Sequence, residues 1–385
     1  MPNSPKRKTF PVVMQLVPTM HGGGAEQTTV EIARALRERK ARHYVVTHQG
    51  AMIADLYDAE ANVLLIEIGR KSPLKIWRNA RRLARLVREH KIDLLHARSR
   101  IPAWVAWLVS RWTGVPYLCT CHGRPPANWW KRLYAWPLVR GRAVIANSDW
   151  TAKRLQRAYD FPPHKLHVVA RGVNVRTFAK RLSARQIEEM RRRWGALPQE
   201  QVLLLPARVA PGKGHEFMLT VLRRLVPHTP VRLVCVGDVV SHERLVRRLE
   251  GMAQKLTISD KLVFAGASRD MSFVYAGADI VVVPSLKPEP FGRAAIEAQA
   301  AGKILLAADH GGLSEIVVRG TGFLLPPGDL DAWEKGLRHA LGLSAAARAQ
   351  LATRARAHAA KHYPLKGMSD ATLKIYQSCV ACVDK

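Results

Sequence analysis

Acid is scarce in this chain: 30 Asp and Glu stand against 61 Lys and Arg over 385 residues, a formal charge of +31. There is no run of about 18 uninterrupted apolar residues, so a membrane-spanning helix is not expected. The opening "MPNSPKRKTF" leads into a strand-like segment without the apolar stretch of a secretory leader, and the expected location is the cytosol. Five cysteines do not make a disulfide framework in that setting and read as core thiols. "CTCH" (Cys119, Cys121, His122) and "CVAC" (Cys379, Cys382) lack the spacing of a zinc ribbon or finger, so no metal is expected. Asp329 and Asp331 in "GDLDAW" precede a helix and read as its cap rather than as a metal–nucleotide triplet. Nucleophile elbow, Walker loop, short repeats and low-complexity tracts are also missing.

The charge that is present is uneven, because +21 of it falls within residues 1–180. A field of that sign attracts polyanions: nucleic acid, an anionic leaflet, or phosphorylated substrates. Charge by itself does not choose among them.

Apolar, β-branched runs alternate with longer helical patterns, the signature of βαβ units and parallel sheets. "FPVVMQLV", "HYVVTH", "NVLLIEI", "DLLHA", "PYLCTC", "RAVIANS" and "KLHVVA" are the strand candidates of the first half. "QVLLLPA", "VRLVCVG", "KLVFAG", "ADIVVVPS", "KILLAAD" and "GFLLPP" restart the pattern in the second. The expectation is an α/β protein of two Rossmann-like lobes, residues 1–178 and 179–362, with a last helix in 363–385 that folds back on either lobe. In such sheets ligands sit at the carboxyl ends of the strands, and two lobes facing each other would form a central cleft.

Four strand-end motifs carry candidate chemistry. "HGGGAEQ" opens a helix after the first strand; Gly23 and Gly24 permit close backbone approach, and a helix start offers N–H groups to an anion. "ARVAPGKGHE" places Arg208 and Lys213 across a Pro-Gly turn, a pair able to neutralise a diphosphate without a metal. "EPFGRAAIE" sets Glu289 in a loop and Glu297 on the helix that follows. Carboxylates match vicinal diols, and the N–H groups of Phe291, Gly292 and Arg293 lie between them. The alternative is that Glu297 is a surface position of an amphipathic helix. His122 in "TCHG" ends the fifth strand and reads as a binding or catalytic group.

In order, "HGGGAEQ", "LLHARSRIPAWVAWLVSRWTGVPYLCTCHG", "VIANSDWT", "VVARGVNVRTF", "ARVAPGKGHE", "EPFGRAAIEAQAAG" and "GGLSEIV" resemble the retaining nucleotide-sugar glycosyltransferases of family four, which have the GT-B fold. The glutamate pair with seven residues between is the most specific element. The resemblance implies a donor site in the second lobe: Glu289 on the transferred sugar, Glu297 on the ribose, and Arg208 and Lys213 on the diphosphate. His122 and the Gly23–Gly24 turn approach from the first lobe. It also implies retention by front-face attack, with the leaving phosphate taking the acceptor proton. Two departures stand out: Ala207 where the family often has glycine, and Asn174 where aspartate is common.

The positive charge has its own pattern. In "SPLKIWRNARRLARLVREHK", Ile76, Ala80, Leu83 and Val87 share one helical face, while Arg78, Arg81, Arg82, Arg85 and Arg88 take the others. "ANWWKRLYAWPLVRGR" adds Trp129 and Trp130 among Lys131, Arg132 and Arg140. Rings interleaved with cations suit an anionic headgroup boundary, each cation contributing about 1 kcal/mol. The expected partners are a nucleotide-sugar donor, a lipid-linked or lipopolysaccharide-type acceptor and the inner face of the cytoplasmic membrane, without nucleic acid. Two rivals remain open: a basic nucleic-acid-binding protein, and a nucleotide-sugar epimerase or phosphorolytic enzyme of the same fold.

Overall fold

The computed structural model describes residues 10–123, 129–179 and 182–381. The chain divides into two compact units, one of Met1–Gly172 with Leu365–Lys385, the other of Val173–Pro364.

The first unit holds a seven-stranded, all-parallel sheet: β1 (Val13–Leu16), β2 (His43–Thr47), β3 (Asn62–Leu65), β4 (Leu94–Ala97), β5 (Tyr117–Cys121), β6 (Ala143–Ala146) and β7 (Leu166–Val168). Its order is β3-β2-β1-β4-β5-β6-β7. The chain winds outward from β1 in one direction and, from β4, in the other, so the reversal lies between β1 and β4. Alternation along the central strands sends neighbours to opposite faces. Met14, Leu95, Cys119 and Val144 pack with helices Pro73–Glu89 and Arg100–Thr113. Val13, Leu94, Leu118 and Ile145 pack with helices Gly24–Glu38 and Leu365–Ala381. The last helix therefore closes the core of the first unit. Cys119, Cys121 and Cys235 are buried free thiols and Cys379 is buried; Cys382 lies outside the described residues.

The second unit repeats the design with β8 (Gln201–Pro206), β9 (Val231–Val236), β10 (Leu262–Gly266), β11 (Ile280–Val283), β12 (Ile304–Ala308) and β13 (Phe323–Leu325). All pairings are parallel, in the order β10-β9-β8-β11-β12-β13, with the reversal between β8 and β11. Each of the thirteen strands lies within one of the runs read from the sequence. Purely parallel strands covered on both faces read as near-continuous apolar runs, which is why they were visible.

Candidate active site

At the second unit's reversal the loops after β8, β11 and β12 are stitched together through their backbones. The Leu286 N–H donates to the Gly212 carbonyl at 2.9 Å, and the Gly312 N–H to the Glu289 carbonyl at 2.8 Å. Gly214, at φ +84°, lets the first loop press on the second: a Cβ there would stand 2.0 Å from the Pro284 oxygen. Gly311, at φ +68°, does the same for the third, 2.4 Å from the Glu289 oxygen.

This weave fixes Glu289. Its carboxylate, 17% exposed, accepts from Lys213 Nζ at 2.8 Å and from the Ser285 hydroxyl. His310 Nε2 donates to the Ser285 carbonyl at 2.5 Å, since a carbonyl only accepts. Lys213 also faces His215, whose pKa falls to about 4 through burial first and the lysine's charge second. Arg208 stands exposed after β8 and makes no ion pair among the described residues; its charge helps hold Asp238 below the ordinary carboxylate range, after the Ser241 hydroxyl.

Glu297 is not a surface position. Its side chain is 12% exposed, accepts from Arg293 Nε at 2.8 Å, and takes the hydroxyl of fully buried Tyr275 at 3.2 Å. Helix Arg293–Ala301 is entered through Gly292 at φ +121°. The N–H groups of Phe291 and Gly292 donate to nothing among the described residues. Asp329 accepts from the Ala332 N–H at 3.0 Å and so caps helix Leu330–Leu341, while Asp331 pairs with Arg224. Among the described residues no three His, Cys, Asp or Glu gather as a metal site.

The first unit has a polar counterpart at its own reversal. Period-two alternation puts His96 and Arg98 beyond Leu94, and Thr120 and His122 beyond Leu118, on the same side of the sheet as Gln15. Arg98, fully buried, donates to Gln15 Oε1 at 3.0 Å through Nε and at 2.5 Å through Nη2. His96 bridges the Tyr376 hydroxyl (2.6 Å) and the Thr120 hydroxyl (2.7 Å). His122 accepts at Nδ1 from Arg171 Nη2, and Arg171 Nη1 donates to Thr28 Oγ1 at 2.6 Å. Burial, then the charges of Arg171 and Arg98, hold His122 well below the ordinary histidine range, so the ring is neutral. Gly23 caps helix Gly24–Glu38 with its backbone alone, and the Glu26 carboxylate folds back over it.

Of the residues singled out in the sequence, the structure joins Lys213 to Glu289 and Arg293 to Glu297, two pairings the motifs did not foretell. Ser285, His310, Arg98 and Arg171 went unnoticed. Polar side chains inside otherwise apolar parallel strands, as in "LLHA" and "YLCTC", were the available signal for the row beneath Arg98 and His122.

Two doubly wound parallel sheets, each with charged or polar side chains gathered on the loops at its reversal, are the lobes of a GT-B architecture. The family described as Glycosyltransferase Family 4 matches residues 22–177, and that described as Glycosyl transferases group 1 matches residues 186–358. A D-inositol 3-phosphate glycosyltransferase of Saccharomonospora viridis is 31% identical over 314 residues, 75% of this chain and 70% of that protein. The glycosyltransferase of Rickettsia africae superposes with a TM-score of 0.88 at 26% identity, over 96% of this chain and 99% of the other. Anabaena HepE, solved with UDP-glucose, shares the fold with a TM-score of 0.85 at 23% identity, over 96% of this chain and all of that one. The chain belongs to the family-four glycosyltransferases and is an enzyme that transfers sugar from a nucleotide-sugar donor.

Proposed function

We propose that the loops after β8, β11 and β12 hold the donor's diphosphate and sugar, and that the product is a lipid-linked or lipopolysaccharide-type saccharide made at an anionic membrane surface. The observation that carries the donor half is the Lys213–Glu289 pair, a cation and a carboxylate held together at a topological switch point. In this reading Lys213 and Arg208 take the pyrophosphate and the Phe291, Gly292 and Arg293 N–H groups assist, stabilising the charge that develops as the leaving group departs. Glu289, released from Lys213, accepts from the hydroxyls of the transferred sugar, and Glu297 serves the ribose. His122, Gly23 and Gly24 of the first unit serve the sugar and phosphates. Attack comes from the face the nucleotide leaves, and the departing phosphate accepts the acceptor's proton.

The membrane half rests on a basic and aromatic surface of the first unit. Arg78, Arg81, Arg85 and Arg88 line a groove with Trp77 and Trp112, and Arg81 lies 4.5 Å over the Trp77 ring. Arg82 is exposed on the same helix, and Trp129 and Trp130 stack at 3.6 Å while 61% and 65% exposed. Helix Arg100–Thr113 meets the groove at Trp112, whose carbonyl accepts from Arg88, and its Trp104 and Trp107 cluster with Trp136. Among the described residues no helix is long and apolar enough to cross a membrane.

A thermal-shift panel of nucleotide sugars tests the donor reading. A cognate donor at about 100 times its Kd adds about 2.7 kcal/mol of apparent stability. Stabilisation by duplex DNA, with no response to any nucleotide sugar, would overturn it. D-inositol 3-phosphate, the acceptor in the relatives' name, belongs in the acceptor panel; its use in place of a glycolipid would refute the membrane half.

A further inference from the structure

Arg171 joins three strand-end segments of the first unit. It follows β7, donates through Nη1 to Thr28 on the helix that begins at the glycine turn after β1, and donates through Nη2 to His122 after β5. At 6% exposure it is buried, and Thr28 is itself anchored to the Gly24 carbonyl at 2.8 Å. A guanidinium has no acceptor, so the His122 nitrogen that meets it, Nδ1, must carry the lone pair. The proton of the neutral ring is then on Nε2. That atom is shielded from solvent and has no partner among the described residues.

We propose that Arg171 is a positioning residue for sugar transfer: by donating to Nδ1 it locks His122 in the Nε2–H tautomer and presents that N–H as a donor to a ligand oxygen. The inference rests on the reading that His122 serves the transferred sugar, and gives it a direction, since His122 donates and does not accept. The charged and titratable groups facing the ring are Arg171, Arg98 and His96, and two of these are cations that keep the imidazole from taking a second proton. A neutral ring with a fixed tautomer already carries its proton on the donating nitrogen, so no proton has to move before it can donate. A merely structural latch between the β7 loop and Thr28 would be satisfied by Nη1 alone and has no need of the imidazole.

The test is long-range 15N–1H NMR of the histidine-labelled protein, with Arg171→Met and Arg171→Lys beside wild type and His122→Ala to assign the signal among 15 histidines. Wild type is expected to show His122 as the Nε2–H tautomer, still neutral where an ordinary histidine takes its second proton. Arg171→Met should mix the tautomers, raise the ring's pKa, and lower kcat about 100-fold with a smaller change in donor KM. Arg171→Lys, which can still donate, should restore much of both. Unchanged His122 15N shifts in folded Arg171→Met would overturn the inference. Tautomer mixing in Arg171→Met together with full turnover by His122→Ala would uphold the positioning and overturn instead the assignment of His122 to the sugar.

Discussion

Lys213 Nζ, on the loop after β8, lies 2.8 Å from Glu289 Oε1, on the loop after β11. Without ligand each charge neutralises the other in a half-buried setting; a donor bound as proposed would separate them, the lysine to phosphate and the carboxylate to sugar. The two substitutions should therefore part company in kinetics. Lys213→Met is expected to weaken UDP or GDP binding about 10- to 100-fold, the worth of a charge-assisted hydrogen bond. Glu289→Gln should leave nucleotide binding near wild type and lower kcat by about 10²–10³. Calorimetric titration with nucleotide and initial rates with nucleotide sugar read the two separately; near-normal turnover by Glu289→Gln removes the carboxylate from its assigned place.

Three glycines divide by what a methyl group would meet. Gly214→Ala and Gly311→Ala add a Cβ inside contact distance of Pro284 and Glu289 backbone at positive φ, and each should cost about 3 kcal/mol or more. Gly24→Ala adds its Cβ to open space at the first turn of a helix, and stability should hold or rise slightly. If Gly24 lies against the donor's phosphates, that stable variant will nonetheless show a raised donor KM. Urea unfolding and donor titration check the set, and an unchanged KM in Gly24→Ala detaches the glycine turn from the phosphates.

Strand positions were legible because parallel strands buried on both faces leave long apolar runs, and "ADIVVVPS" or "QVLLLPA" have no competing helical period. The loops that follow them were legible as candidates for the same reason. Which side chains meet was not. Glu297 is enclosed by Tyr275, 22 residues earlier, and the His122 partner Arg171 is 49 residues later; neither pairing has a local signature. Ser285 is the last letter of a strand-like run, and nothing near it announces the Glu289 carboxylate it donates to. Local pattern determines elements, while the site depends on contacts set by sheet order.

Glu200 offers a pH test away from the chemistry. Its side chain is 2% exposed and receives Arg232 Nε at 2.8 Å, Lys261 Nζ at 2.9 Å and the Leu197 N–H at 3.0 Å. Burial raises its pKa, but these donors together outweigh burial and hold it below the ordinary value. A depressed folded-state pKa contributes stability that is present above the unfolded value near 4.3 and is lost as pH falls through the folded one. Glu200→Gln, which strands buried Arg232 while Lys261 keeps Asp260 at 3.0 Å, should cost about 3 kcal/mol at pH 7. It should also flatten the fall in stability between about pH 5 and 2. Parallel pH–stability curves for the two proteins would contradict the linkage.

The basic helix Pro73–Glu89 gives the sharpest test of membrane association, because its apolar and charged faces are separable. Ala80, Leu83 and Val87 are buried in the core, whereas Arg81, Arg82 and Arg85 are exposed, so replacing the three arginines by glutamine leaves the packing face intact. At about 1 kcal/mol per cation near an anionic surface, the triple variant should lose roughly 3 kcal/mol of attraction, about 150-fold in partitioning at low salt. Trp129→Ser with Trp130→Ser removes exposed rings without touching charge, and should weaken binding in a way that added salt does not mimic. Co-sedimentation with phosphatidylglycerol vesicles across a salt series, with pure phosphatidylcholine vesicles as the uncharged control, separates the two contributions. Donor hydrolysis in the absence of acceptor should be unaffected by either variant, since neither set lies in the loops assigned to the donor. If the triple variant sediments with anionic vesicles as wild type does, the excess charge of the first unit serves some other polyanion.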